Sequence, residues 1–311
     1  MYVGITDINW YRYLRDLQPD ETNFWRPGGS TFRALQPGDP FLFKLHAPHH
    51  AIVGGGWFVR YAPLPVSLAW RAFGVKNGVK SVDAFLERIR HYRKPPVSND
   101  PTIGSIILTE PFFFDEEDWV DPPRDWKPQI VQGRGYDPYE GVGAEIWASI
   151  EEWLKARESA FSAKRAAAPL TLVNDPKRRR TLVEQRIGQG AFRVAVTDAY
   201  ERRCAITGER TLPVLEAAHI MPHASGGPND VRNGLLLRSD LHLLFDGGYV
   251  TIDQDHRVRV SSRIREAFQN GREYYRFDGE HLAHSPSRIS DLPDPDFLAW
   301  HGDTVFERKW T

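Results

Sequence analysis

The spacing of apolar residues changes several times along this chain, and each change marks an element. PFLFKLH (40–46), HAIVGGGWFV (50–59) and IGSIILTEPFFF (103–114) are short apolar runs bounded by Pro and Gly, which predict strands. NWYRYLRDL (9–17), with Asp7 or Asn9 as cap, and SVDAFLERIRHYR (81–93), capped by Ser81, repeat apolar residues at helical spacing; Phe85, Ile89 and Tyr92 share one face. Pro and Gly at 37–38, 54–56 and 95–101 mark turns. AEIWASIEEWLKARESAFSAKRAAA (144–168) carries a stripe of Ile146, Ile150, Trp153 and Leu154, then loses it in an Ala, Lys and Arg tail. A further helix is predicted over 181–203, with a break or a close packing contact at the poor helix formers Gly188 and Gly190. LPVLEAAHI then reads as a strand, MPHASGGPNDVRN as a loop, NGLLL as a second strand and SDLHLLFD as a helix capped by Ser239 or Asp240. That order is a ββα unit.

Length and composition divide these elements between two cores. The chain has 311 residues, 41% of them hydrophobic and 12% aromatic, more than one typical domain uses. An α+β domain is expected over 1–143, a basic helical linker over 144–180 and a second domain over 181–311. The single cysteine, Cys204, excludes an intramolecular disulfide and a Cys-only zinc cluster and fits a reducing compartment. With no secretory leader pattern and no run of about eighteen apolar residues, a cytoplasmic protein without membrane contact is expected. A net charge of −1 gives no global reason for a nucleic-acid partner. Basic residues nevertheless cluster between Lys155 and Arg203, and Arg178, Arg179, Arg180 and Arg193 are candidate phosphate contacts.

The ββα unit gathers the residues that can do chemistry. His219 ends the first strand directly after two alanines, and His242 and Asp246, four apart, share one helix face that can turn back toward the hairpin. A neutral imidazole at His219 can accept a proton near neutral pH. A divalent cation held by His242 and Asp246 can absorb charge growing on a phosphate, and the Asn233 amide can tether the loop. Each residue alone has a plainer reading: a bonded core imidazole, a surface pair, a turn former. The ordered set favours catalysis. A structural zinc site using Cys204 matches no paired-ligand spacing.

AAHIMPHASGG, NGLLLRSDLHLLFDGGYVTID, RVSSRIREAF, GREYYRF and FLAWHGDTVF, taken in order over 181–311, resemble the McrA-like HNH, or ββα-metal, endonucleases. The resemblance implies restriction of foreign or phage DNA, with His219 as general base, Asn233 as the residue that positions it, and His242 and Asp246 as metal ligands. It further implies one divalent cation per site, Mg²⁺ or a transition metal such as Mn²⁺, Co²⁺ or Ni²⁺. Double-stranded DNA is the expected partner, and a homodimer is expected because one site cuts one strand. The chain departs from the family at Ala218, where many relatives carry a further metal ligand; Glu216 and His223 are the nearby substitutes. The paired CxxC motifs of many relatives are absent too. His301, within the LAWH block, has no assigned task.

LQPGDPFLFKLHAPHHAIVGGGWFV (35–59) resembles the PUA-like barrels of the ASCH and EVE type. That resemblance implies a β-barrel-type first domain that reads a modified base extruded into an aromatic pocket. Trp10, Asn23, Trp25 and Phe43 are the candidate pocket residues, with Phe24 and Trp57 near them; filling a small barrel's core is their plainer role. The alternative function is a PUA-like nucleic-acid-binding module, RNA included, with a non-catalytic ββα unit.

Overall fold

The run around GGGW becomes a 14-residue strand, Ile52–Pro65, in the computed structural model, which describes residues 1–307 apart from Ser30, Lys94, Pro96, 158–169, 171, 172 and 174. Contacts divide the chain into two units, Met1–Gly188 and Gln189–Thr311. Strands β1 (Tyr2–Thr6), β2 (Glu21–Arg26), β3 (Pro40–Leu45), β4 (Ile52–Pro65), β5 (Thr102–Phe113) and β6 (Gly133–Gly135) form the sheet of the first unit, ordered β2-β5-β4-β3-β1-β6. Only the β1–β3 pair is parallel. Gly54, at φ +149°, lies against the carbonyl of Phe112 in β5, where a Cβ would collide; the glycine lets β4 pair closely there.

The sheet corrects the expected barrel. Among the described residues it stays open, with β2 and β6 at its edges. Closure would need β2 to pair with β6, but the outer side of β2 is taken by the turn Gly74–Asn77. The Thr22 hydroxyl donates to the Lys76 carbonyl (2.8 Å), and the Trp25 indole donates to that of Asn77 (3.0 Å).

The helices among this unit's described residues are α1 (Ile8–Leu17), α2 (Val66–Phe73), α3 (Val82–Tyr92), α4 (Gly141–Ala156) and α5 (Pro176–Gln185). Asp7 caps α1, accepting from the N–H groups of Asn9 (3.0 Å) and Trp10 (2.9 Å), and Ser81 caps α3. The Ala, Lys and Arg tail expected to follow α4 lies largely outside the described residues. One sheet face buries an aromatic core in which Trp10 meets Phe24 and Phe43 edge-on at 5.4 and 5.0 Å, and Phe43 stacks on Phe113.

In the second unit α6 (Gln189–Ala199) precedes an antiparallel hairpin, β7 (Leu215–His219) and β8 (Gly234–Arg238), then α7 (Ser239–Asp246). The expected helix over 181–203 is broken between α5 and α6, at the poorly helical Ile187 and Gly188. A second antiparallel pair, β9 (Val250–Ile252) and β10 (Val258–Val260), is followed by α8 (Arg263–Phe268), α9 (Arg272–Tyr275) and α10 (Pro295–Thr304). No helix among the described residues is long and apolar enough to cross a membrane.

Asn77 ties the first unit together from inside. Its Oδ1 accepts from the Asn23 amide (2.8 Å), while its own amide donates to the carbonyls of Gly74 (2.8 Å) and Ala69 (3.2 Å). Asn77→Ala removes these three bonds and should lower stability by about 2–4 kcal/mol. Urea unfolding followed by tryptophan fluorescence checks this; a midpoint shared with the wild type would refute it.

Candidate active site

His219 stands at the last pair of the β7–β8 ladder, opposite Gly234. A side chain at Gly234 would occupy the place taken by Phe192 and Val196 of α6. The glycine therefore admits the Phe192 ring, which stacks on the His219 imidazole with centroids 3.9 Å apart and planes 15° apart. On its edge the ring meets Asn229, whose Oδ1 lies 2.8 Å from Nε2. An amide oxygen only accepts, so the proton sits on Nε2 and Nδ1 keeps its lone pair. Burial holds His219 below the ordinary imidazole value; the Asn229 bond and the Asp246 charge pull the other way, while His223 and His242 add to the depression. The ring is thus a neutral base with a defined acceptor atom.

Asn233, fully buried at the end of the intervening loop, holds that loop closed. Its Oδ1 accepts from the Met221 N–H (2.8 Å), and its Nδ2 donates to the carbonyls of Met221 and Pro228 (both 2.9 Å). Its own carbonyl accepts from the Ile220 N–H (2.9 Å). The segment it clamps carries Asn229, so the orientation of His219 depends on Asn233 indirectly. Sequence reading placed Asn233 correctly on this loop but did not single out Asn229 or Phe192. Asn229 sits in a GGPND turn, where an asparagine needs no second explanation.

The α7 pair meets a third side chain from β7. His242 Nδ1 lies 2.8 Å from Glu216 Oε2, and Nε2 lies 3.3 Å from Asp246 Oδ2. If Nδ1–H donates to Glu216, the Nε2 lone pair faces a carboxylate oxygen, an arrangement that a proton on Nε2 or a cation between the two relieves. Burial and the Glu216 charge push the Asp246 carboxyl above its ordinary value, against the pull of the two imidazoles. A divalent cation fits this donor set: an imidazole whose far nitrogen is held by a carboxylate and a second carboxylate beside the near one. Among the described residues no group of three or more His, Cys, Asp and Glu converges as a metal cage, so waters and phosphate oxygens would complete the shell. His223 uses Nδ1 on the Gly227 carbonyl (3.2 Å).

The other predicted residues separate. Arg178 and Arg180 of α5 and Arg193 of α6 are exposed. Arg179 is corrected: it is 5% exposed, donates twice to the Val173 carbonyl (3.0 and 2.8 Å) and covers the Trp57 ring, so it cannot reach a phosphate. In the first unit a cleft of about 470 Å³ is lined by Trp10 and Trp25. Phe43 and Asn23 are corrected as pocket residues. Phe43 is sealed in the aromatic core, and the Asn23 amide is spent on Asn77 and Ser105.

Residues 204–253, which span β7 through β9, match the HNH endonuclease family. This segment is an HNH endonuclease domain. No curated protein matches the chain in sequence. One solved structure, described as "Modification dependent TagI restriction endonuclease", is similar over 92% of this chain and 75% of its own, at 14% identity and a TM-score of 0.28. Glu216, His219, Asn229, Asn233, His242 and Asp246 all lie within the HNH domain.

In ¹⁵N-detected NMR, His219 should be a neutral Nε2–H tautomer at pH 7 that protonates below the ordinary imidazole value. Asn229→Ala removes a bond that favours the charged form, so the titration should move lower still and the tautomers mix. A dominant Nδ1–H form, or a titration unmoved by the substitution, would contradict the assignment. Because the folded value is depressed, the stability linked to this group is present above the unfolded value and is lost as pH falls from there through the folded value.

Proposed function

We propose that the chain is a metal-dependent DNA endonuclease in which residues 204–253 cut and the first unit selects the substrate. The observation that carries the reading is the pairing, inside one HNH domain, of a neutral imidazole with a free Nδ1 and a His242–Asp246 pair suited to a cation. His219 Nδ1 takes a proton from water, and the resulting hydroxide forms the new bond to phosphorus. The bond from phosphorus to the 3′ oxygen breaks and that oxygen is protonated by solvent, leaving 5′-phosphate and 3′-hydroxyl ends. When bound, a divalent cation supplies positive charge to the phosphate and the leaving oxygen. Glu216 orients the His242 ring, and Asn233 and Asn229 keep His219 aimed. Arg178, Arg180 and Arg193 serve backbone phosphates, contacts indifferent to sequence.

A nuclease used against foreign or phage DNA requires a means of sparing its own genome, and the cleft of the first unit supplies the selecting surface in this reading. Trp25 and Tyr92, centroids 6.5 Å apart, offer aromatic faces, while Asp7, Arg26 and His46 offer polar edges. An aromatic-walled cleft with polar groups at its rim suits an extruded base, whose unstacking costs a few kcal/mol that stacking and edge bonds recover. A modified base in double-stranded DNA is the proposed ligand. A homodimer brings the second site needed for a double-strand cut.

Plasmid digestion with Mg²⁺, Mn²⁺, Co²⁺ or Ni²⁺ should show cleavage that His219→Ala lowers by at least about 100-fold. Undiminished cutting by that variant would sink the base assignment. On a panel of unmodified, methylcytosine, hydroxymethylcytosine, glucosylated and methyladenine DNA at fixed salt, the wild type should prefer a modified substrate. Trp25→Ala should lose the preference while keeping residual cutting; equal cutting of every substrate by the wild type would refute selection by a modified base.

A further inference from the structure

Beyond residue 253 the second unit contributes one buried imidazole that the chemistry above leaves without a task. His301 of α10 is 2% exposed. Its ring stacks on Phe245 of α7, with centroids 3.7 Å and planes 14° apart. A carbonyl only accepts, so the 3.1 Å contact from Nε2 to the Phe245 oxygen places the proton on Nε2. Nδ1 is then the acceptor, and the Thr251 hydroxyl in β9 donates to it at 2.8 Å. Burial keeps the ring neutral, its pKa pushed down to about 4. A phenyl ring would fill the same space and stack as well, so packing does not explain an imidazole. Burying two polar nitrogens is costly unless both are bonded, and here both are.

The bonded oxygen is well placed to matter. Phe245 precedes Asp246, the last residue of α7, and its carbonyl is one that the end of a helix leaves without a regular partner. It accepts from both the Gly248 N–H (3.0 Å) and His301. That oxygen and the Asp246 N–H belong to one planar peptide. Two donors on the oxygen therefore fix the plane from which the Asp246 side chain leaves the backbone, and with it the approach of Oδ2 to His242. The following turn is tied to the same C-terminal segment, since the Glu307 N–H donates to the Gly248 carbonyl (2.9 Å).

We infer that His301 is a positioning residue for the cation site, clasping the last turn of α7 so that Asp246 can share one cation with His242. The inference rests on the metal reading of that pair and extends it to a residue outside the HNH-matched segment. It acts through the backbone and touches neither substrate nor cation.

Calorimetric titration of the full-length protein with Mn²⁺, without DNA, tests it. His301→Phe keeps the stacking ring and loses the donor; Mn²⁺ affinity should fall about tenfold or more, the usual effect of removing a group that orients a ligand. His301→Gln, whose amide can donate to the same carbonyl, should recover most of the affinity. Thr251→Val, which leaves Nδ1 unpaired, should weaken binding in the same direction by a smaller factor. Mn²⁺ affinity unchanged in His301→Phe, even with a lowered melting temperature, would reduce His301 to core packing and overturn the inference. Should that variant fail to fold, unchanged affinity in Thr251→Val overturns it equally. Wild-type Mn²⁺ binding that is absent, or that survives His242→Ala, would instead remove the metal reading itself and this inference with it.

Discussion

Three hydrogen bonds made by one buried amide, Asn233, close the loop between β7 and β8, and the setting of the His219 ring hangs on that closure. The loop leaves β7 at His219 and returns to β8 at Gly234, the residue paired with His219. Within it the chain must turn through Gly226, in the left-handed region, and present Asn229 to the His219 ring. An apolar residue at 233 would strand the Met221 N–H and two carbonyls in a buried place, and the loop would have to open toward water to satisfy them. The clamp therefore converts a flexible connection into a fixed wall beside the imidazole.

Charge around that wall is arranged by burial as much as by contact. His219 and His301 are both held neutral because the protein around them excludes water, one with a lone pair left over and the other with both nitrogens engaged. His242 is treated differently: carboxylates stand at both of its nitrogens. The same residue type thus stands in three different settings, and what separates them is the partner each ring nitrogen meets. Concentrated negative charge beside a neutral base suits a site that gathers a cation and then a phosphate.

The first unit solves a different problem with aromatic bulk. One face of its open sheet is packed by Trp10, Phe24, Phe41, Phe43 and Phe113, while Trp25, next to Phe24 along β2, packs against Phe85 and Tyr92 and borders the cleft. On the other side of β4, Trp57 is covered by Trp147 of α4 and by the Arg179 guanidinium. An arginine in a basic run is thereby drawn inward by a ring face and a carbonyl, while its neighbours Arg178 and Arg180 stay in solvent.

Local pattern alone determined much of this. Asp7 and Ser81 cap the helices they were expected to cap, because a side-chain oxygen one residue before a helix has few other uses. The ββα order and the shared face of His242 and Asp246 follow from helical and strand periodicity, and the break before Gln189 from the low helix propensity of Gly188, all of which a sequence displays directly. Tertiary structure decided the rest. Asn229 and Phe192 meet the His219 ring from a loop and from α6, and a residue's partner across space leaves no mark in its own neighbourhood. Burial worked in the same way on Phe43 and Arg179, which the sequence offers to a ligand and the fold encloses. Whether an aromatic or a cation faces solvent depends on what packs over it, and that is set by segments far away in the chain.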